Sequence, residues 1–316
     1  MKTSLRLLAV TLALAAGSVA AEPLRVAIVS RTVFYVPLWI AQDKGYFKAE
    51  GIDASIEVYN NAEKINEDLR SGKVQLAVST PESVIIDAYR GGSLRIVAGN
   101  AERLPHFIIA KPSIKTLAEL RGARFGVLSL QEGSTYLVHR MMSANGFKPG
   151  EYEVIAVGGA PARWKLLQEG KIDAGLQPFP LSYQAEAAGF SNFGPITRYV
   201  QDYLFTTVNV DGQWASRNGP ALAAFLRGLR RGLAAMKDEP ETAVAIAARE
   251  LDTTPALARR ALGDTAKLEI LSLDLSVSER ALKGTFDTLL GVGLLPPGTP
   301  FEPARVVDTR YLGMAR

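Results

Sequence analysis

Two open α/β sheets facing each other across a cleft are the fold class this sequence predicts. Three observations carry that expectation. A β-loop-α-β-α-β order occurs twice. The residues that end matching elements recur at nearly constant spacing. Both copies also end their strands in polar residues, where the ligand edge of such a sheet lies.

The first copy starts with RVAIVS, a β-rich run ending at Ser30, followed by the loop and helix RTVFYVPLWIAQDKGYF, which stops near Gly45. EGIDASIEVY gives a turn and a second strand, NNAEKINEDLRSGK a helix stopping at Gly72, and VQLAVSTP a third strand ending at Ser79, Thr80 and Pro81. The second copy runs through RFGVLS, a helix stopping near Gly146, the strand EYEVIAV, a helix stopping at Gly170, and IDAGLQPFP, ending at Gln177. Ser30 and Ser129, Gly45 and Gly146, Gly72 and Gly170, and Ser79 and Gln177 are separated by 99, 101, 98 and 98 residues. Four matches in order indicate two lobes of one construction.

SLRIVAG extends the first lobe to Asn100, the segment from Ala101 to Gly122 crosses to the second lobe, and YLFTTVNV (Tyr203 to Val210) crosses back. After it the pattern is mostly helical until PPGTP breaks the last long helix. The expected layout is a first lobe of residues 22–104 plus 206–316 and a second lobe of 105–205.

The N-terminus has Lys2 and Arg6, an apolar run from Leu7 to Ala16, then small residues, which is the layout of a secretory signal peptide spanning 1–21. Residues 22–316 then form the mature chain. There is no cysteine among the 316 residues, which excludes disulfides, thiolate metal sites, a cysteine nucleophile and a lipidated N-terminal cysteine. A soluble monomer in the periplasm is the expectation. The formal charge of +4 falls to about +2 without Lys2 and Arg6, and the basic residues are scattered, so nucleic acid is not an expected partner.

Candidate ligand residues sit at the strand ends. Ser30 and Thr32 offer hydroxyls, Arg31 a fork for a carboxylate or sulfonate, and Phe34 and Tyr35 flat apolar flanks. Ser79 and Thr80 either cap the next helix or meet ligand, and Asn100 ends the fourth strand. In LQEGSTYLVHR, Gln131, Gly133, Ser134 and Thr135 precede or open a helix whose free N–H groups suit an anion. Arg163 opens a later helix, and Gln177 ends a strand. A small ligand held by both sets would close the lobes about hinges near 103–107 and 203–207.

His106 and His139 lack the spacing of a metal pair, and HExxH, GxSxG and a phosphate loop are absent. No metal, cofactor or catalytic residue is expected. An enzyme on the same fold, such as a lyase, is the alternative of a different class.

PLWIAQDKGYFKAEGIDASIEVY, GKVQLAVSTP and IKTLAELRGARFGV resemble the solute-binding proteins of ABC importers, in particular the NMT1/THI5-like binders of sulfonates, taurine, nitrate and thiamine precursors. The resemblance covers essentially the whole mature chain. It implies a type II periplasmic binding fold, with the C-terminal helices returning to the first lobe, and partners in a membrane permease and its ATPase or, alternatively, a membrane sensor. The family's eukaryotic pyrimidine-precursor synthases carry a cysteine-rich motif that has no counterpart here. Arg31 and the helix start at Ser134 suit a small organic anion, a sulfonate or aromatic carboxylate. A neutral pyrimidine would instead use Gln177, Asn100 and the aromatics.

Overall fold

The computed structural model describes residues 22–315, so the expected signal segment lies outside the described residues. Among the described residues, ten strands form two sheets. The first contains β1 (Glu22–Ile28), β2 (Ile52–Val58), β3 (Leu76–Ser79), β4 (Leu94–Ala101) and β10 (Thr206–Asp211); the second contains β5 (His106–Ala110), β6 (Arg124–Val127), β7 (Glu153–Ala156), β8 (Ala174–Pro178) and β9 (Ser191–Pro195).

The strand orders are β2-β1-β3-β10-β4 and β7-β6-β8-β5-β9. β1 lies parallel to β2 and β3, as β6 does to β7 and β8. β10 is antiparallel to its two neighbours, and so is β5. The two sheets therefore have one topology, and the antiparallel strand in each is the segment arriving from the other lobe. The central parallel strands are buried on both faces, which is why they read as continuous apolar runs such as Val26 to Val29. The crossing from Ala101 to Gly122 contains a strand of its own, β5. β9 is a half-buried edge strand containing Gly194 and Pro195, and it carries no alternation of apolar and polar residues by which a sequence would announce it.

The helices of the first lobe are α1 (Val36–Asp43), α2 (Tyr46–Ala49), α3 (Ala62–Arg70) and α4 (Glu82–Tyr89), and those of the second are α5 (Gly133–Ala144), α6 (Ala160–Gln168) and α7 (Leu181–Ala187). The C-terminal set comprises α8 (Gly212–Arg217), α9 (Gly219–Asp238), α10 (Pro240–Glu250), α11 (Pro255–Lys267), α12 (Glu279–Gly291), α13 (Pro303–Val306) and α14 (Arg310–Met314). These helices return to the first lobe: α9 packs on α1 and α2, with Phe225 stacked on Phe47 at 5.0 Å, and α13 packs on α4. One apolar core runs through both lobes, and a smaller one of Ile109, Ala160, Trp164, Leu167, Ile172, Leu181 and Ala185 sits beneath α6 and α7. Among the described residues no helix is long and apolar enough to cross a membrane.

Candidate functional site

The carboxyl ends of β1, β3, β6 and β8 converge where the lobes meet. On the first lobe, Thr32 is fully extended (φ −145°, ψ 162°) before a single tight turn, Val33–Tyr35, leads into α1. That geometry points Ser30, Thr32 and Phe34 into a cavity of about 30 Å³, and Thr80 reaches it from the end of β3. The second lobe supplies Leu128, Glu132, Ser134 and Leu137 from β6 and α5, and Gly159, Ala160 and Arg163 from the start of α6. The two crossings close the floor. His106 and Phe205 meet edge to face at 4.8 Å, and Phe34 meets Phe205 the same way at 5.1 Å.

The lobes touch directly around this cavity. Ser129 Oγ donates to Glu63 of α3 at 2.6 Å. Two glycines permit the closest approaches. A Cβ on Gly159 would lie 2.3 Å from Ser30 Cβ, and one on Gly133 would lie 2.4 Å from a Glu82 carboxyl oxygen. Both lie under the separation that real atoms tolerate: a side chain at 159 would press on the root of Ser30 and wedge the lobes apart, and one at 133 would displace the Glu82 carboxyl.

The charges of the site are two buried carboxyls, one buried guanidinium and a buried imidazole. Glu132 folds back over the start of α5, accepting from Ser134 N at 2.9 Å and also bonding Ser134 Oγ. Burial raises its carboxyl above the usual range, against the bonds from Ser134 and the attraction of Arg163. Glu82 accepts from Tyr203 Oη at 2.5 Å; burial first, then Glu132, push it up to about 8, so it is a neutral acid at pH 7. Burial lowers Arg163 to about 10, which leaves it a cation, and lowers His106 to about 3, which leaves it a neutral ring. Arg163 Nη2 donates to Leu176 O at 2.8 Å. Its Nε, together with Thr32 Oγ1, Thr80 Oγ1 and His106 Nδ1, is buried with no partner. Four such atoms around one small cavity leave it lined by unsatisfied polar groups. Among the described residues no cluster of His, Asp and Glu is arranged to hold a metal ion.

Of the residues expected from sequence, Ser30, Thr32, Phe34, Thr80, Ser134 and Arg163 line the cavity. The others are placed elsewhere. Tyr35 packs behind Phe34 at 4.7 Å. Ser79 Oγ accepts from Asn209 Nδ2 at 2.9 Å and ties β10 to β3. Asn100 Nδ2 donates to Thr206 Oγ1 and to Phe34 O, bracing the wall from behind. Thr135 Oγ1 donates to Ser129 O at 2.7 Å. Gln177 is buried and its amide meets Ala160 O and Trp164 N, fixing the start of α6. Gln131 is exposed, and Gly133 faces Glu82. Arg31 lies at the mouth rather than in the cavity: it is 52% exposed and paired with Glu250. The start of α5, expected to await an anion, already carries the chain's own Glu132.

Sequence reasoning missed Glu82, Glu132 and Phe205 and set His106 aside. Glu132 stood inside the segment singled out, one residue before Gly133, and an acid at that position is a signal that the helix start is self-capped. Glu82 gave no usable signal, because an acid in a first helical turn is ordinary.

A family model described as "NMT1/THI5 like" matches residues 34–243. The chain belongs to the NMT1/THI5-like family. A relative from Saccharomyces cerevisiae, the 4-amino-5-hydroxymethyl-2-methylpyrimidine phosphate synthase THI5, is 28% identical over 148 residues, 46% of this chain and 42% of its own length. The chain thus spans less than half the length of that relative. Among solved structures, a protein from Bordetella bronchiseptica RB50 superposes with a TM-score of 0.78 at 20% identity over 93% of this chain and 96% of its own. The periplasmic nitrate-binding protein NrtA from Synechocystis PCC 6803 gives 0.76 at 13% identity over 93% and 88%. The alkanesulfonate-binding protein SsuA from Xanthomonas axonopodis pv. citri bound to MOPS gives 0.71 at 16% over 92% and 99%. At those identities the likeness is one of fold: this NMT1/THI5-like protein has the two-lobed type II periplasmic binding architecture.

Proposed function

We propose that this protein is the substrate-binding component of an ABC importer and takes the polar edge of a small uncharged nitrogen heterocycle into the cavity between its lobes. The observation that carries the ligand class is the mixture of groups there: Thr32 Oγ1, Thr80 Oγ1, His106 Nδ1 and Arg163 Nε are buried without partners around the cavity, and Glu82 and the His106 ring are neutral. A simple organic anion, the class expected first, would find one cation, Arg163, among groups that are otherwise uncharged donors and acceptors or carboxyls. A heterocycle with both N–H donors and ring-nitrogen acceptors matches a mixed set of groups, and Phe34 and Phe205 offer it flat flanks. The fold shared with NrtA and SsuA and the name of the yeast relative support the importer role and a pyrimidine-like ligand. Delivery to a permease, residence in the periplasm and a monomeric state belong to the same reading.

Calorimetry with a panel of aminopyrimidines, alkyl sulfonates and aromatic carboxylates tests it. An aminopyrimidine binding with a Kd of about 10 μM or tighter, at least tenfold ahead of every sulfonate and carboxylate, is expected. A sulfonate at the head of the panel would return the ligand to the anion class. Mass spectrometry of the bound compound after long incubation with substoichiometric protein should show it unchanged, and repeated turnover would make the protein an enzyme.

A further inference from the structure

We propose that the ligand has two parts, and that the mouth of the cleft is a second subsite for an apolar stem ending in an anionic oxygen group held by Arg31. The proposal rests on the heterocycle reading for the head. Its first support is volume: the inner cavity offers about 30 Å³, roughly room for one water, whereas the compartment at the mouth offers about 270 Å³. Adjacent residues of both walls separate the two. Ser30 lines the inner one and Arg31 the outer, and Ala160 and Pro161 divide in the same way. A ligand whose polar edge enters the inner cavity needs room for the rest of its body, and the compartment at Arg31 supplies it.

The outer walls suit a stem. The second lobe contributes Pro161, Trp164, Phe179 and Leu181, and the first contributes Arg31 and Leu251. Apolar faces thus oppose one another across the lobe boundary, and the subsite is complete only when the lobes are together. Arg31 can also change partner readily. Arg31 is half exposed where it meets Glu250, and a pair with one member open to water is weak. Glu250 keeps Arg249 at 3.0 Å if Arg31 leaves, so no carboxylate is left stranded. Asp252, exposed on the same rim, disfavours an anionic end placed anywhere but at the Arg31 side.

The test uses three 4-aminopyrimidines carrying a methyl, a butyl or a butanoate chain at C5, titrated into the full mature protein and into Arg31→Met. Butyl should bind at least tenfold tighter than methyl, and butanoate at least a further fivefold tighter than butyl. In Arg31→Met the gain of butanoate over butyl should vanish. Equal affinities for methyl and butanoate, or a butanoate gain that survives Arg31→Met, would overturn the subsite while leaving the heterocycle reading intact. If none of the three binds, the head is wrong, and the subsite is decided separately by the small molecule released on denaturing protein purified from its native host. An elongated molecule with an anionic end supports it, and a compact one without a stem overturns it.

Discussion

In the first lobe the strand ends present Ser30, Thr32, Phe34 and Thr80, hydroxyls and a ring with no charge among them; in the second, the same topology presents Glu132 and Arg163. Glu82, the acid nearest on the first lobe, is held neutral at pH 7. One scaffold has therefore been given two jobs. The first lobe sets shape and offers weak hydrogen bonds, and the second carries the strong electrostatics. The difference follows from where each side chain starts. In the second lobe Arg163 lies in the first turn of α6, braced beneath by Gln177, and can reach inward with its stem buried. In the first lobe the matching helix start, Asn61, caps α3 through its own side chain onto Lys64 N at 2.7 Å and projects no charge into the cavity.

If that division holds, the largest loss comes from the second lobe. Arg163→Met removes the buried guanidinium of the cavity together with its bond to Leu176 O. A hydrogen bond from a charged group is worth about 1.5–3 kcal/mol, so ligand affinity should fall about tenfold to a hundredfold, and the thermal midpoint should also drop. Calorimetry on folded variant, verified by circular dichroism, is the measurement. A loss under fivefold would show that the second lobe does not dominate.

The next effect concerns the face where the two lobes press acids together. Glu82 has a folded value near 8 against an ordinary 4.5. Because the folded value is the higher one, its contribution to stability is complete below about 4.5 and is lost as pH rises through about 8. Glu132 shifts in the same direction and adds to the slope. Urea unfolding should therefore show stability falling by on the order of a few kcal/mol from pH 5 to pH 9. Glu82→Gln should flatten that fall. Superimposable profiles for the two proteins would mean that Glu82 finds a counter-charge or water when it ionises.

The repeat was legible because it is written in backbone requirements. Helix-ending glycines such as Gly45, Gly72, Gly146 and Gly170 all adopt positive φ, which few other residues accept, so their spacing survives in the sequence. Strand ends were legible as the points where apolar runs give way to polar residues, and Ser30, Thr32, Phe34 and Thr80 followed from them, while Ser134 and Arg163 followed from helix starts. The charge balance was not legible. Arg31 and Arg163 look alike in sequence, each just after a strand or turn, yet one stands at the rim with Glu250 and the other is 3% exposed. Burial of that kind depends on the opposite lobe, whose contacts are about a hundred residues away in the chain: Glu63 with Ser129 is separated by 66 residues, and Glu82 with Tyr203 by 121. Local pattern carries the scaffold, and the site's electrostatics arise only when the lobes meet.

The smallest effect is also the one that separates shape from chemistry on the first lobe. Thr32 has a buried hydroxyl with no partner, in an extended conformation that valine adopts equally well. Thr32→Val keeps the volume and removes only the hydroxyl. An unmet buried hydroxyl costs about 1–3 kcal/mol, so the variant without ligand should be more stable than the parent or its equal. The ligand, by contrast, should lose one hydrogen bond of about 1 kcal/mol, a fivefold to tenfold weaker Kd. The two changes have opposite signs, which no general loosening of the lobe can produce. Urea unfolding and calorimetry on the same preparation read both. If affinity is unchanged while stability rises, the first lobe contributes shape alone. If both fall together, Thr32 supports the turn into α1, and the unpartnered hydroxyl is not the group that meets the ligand.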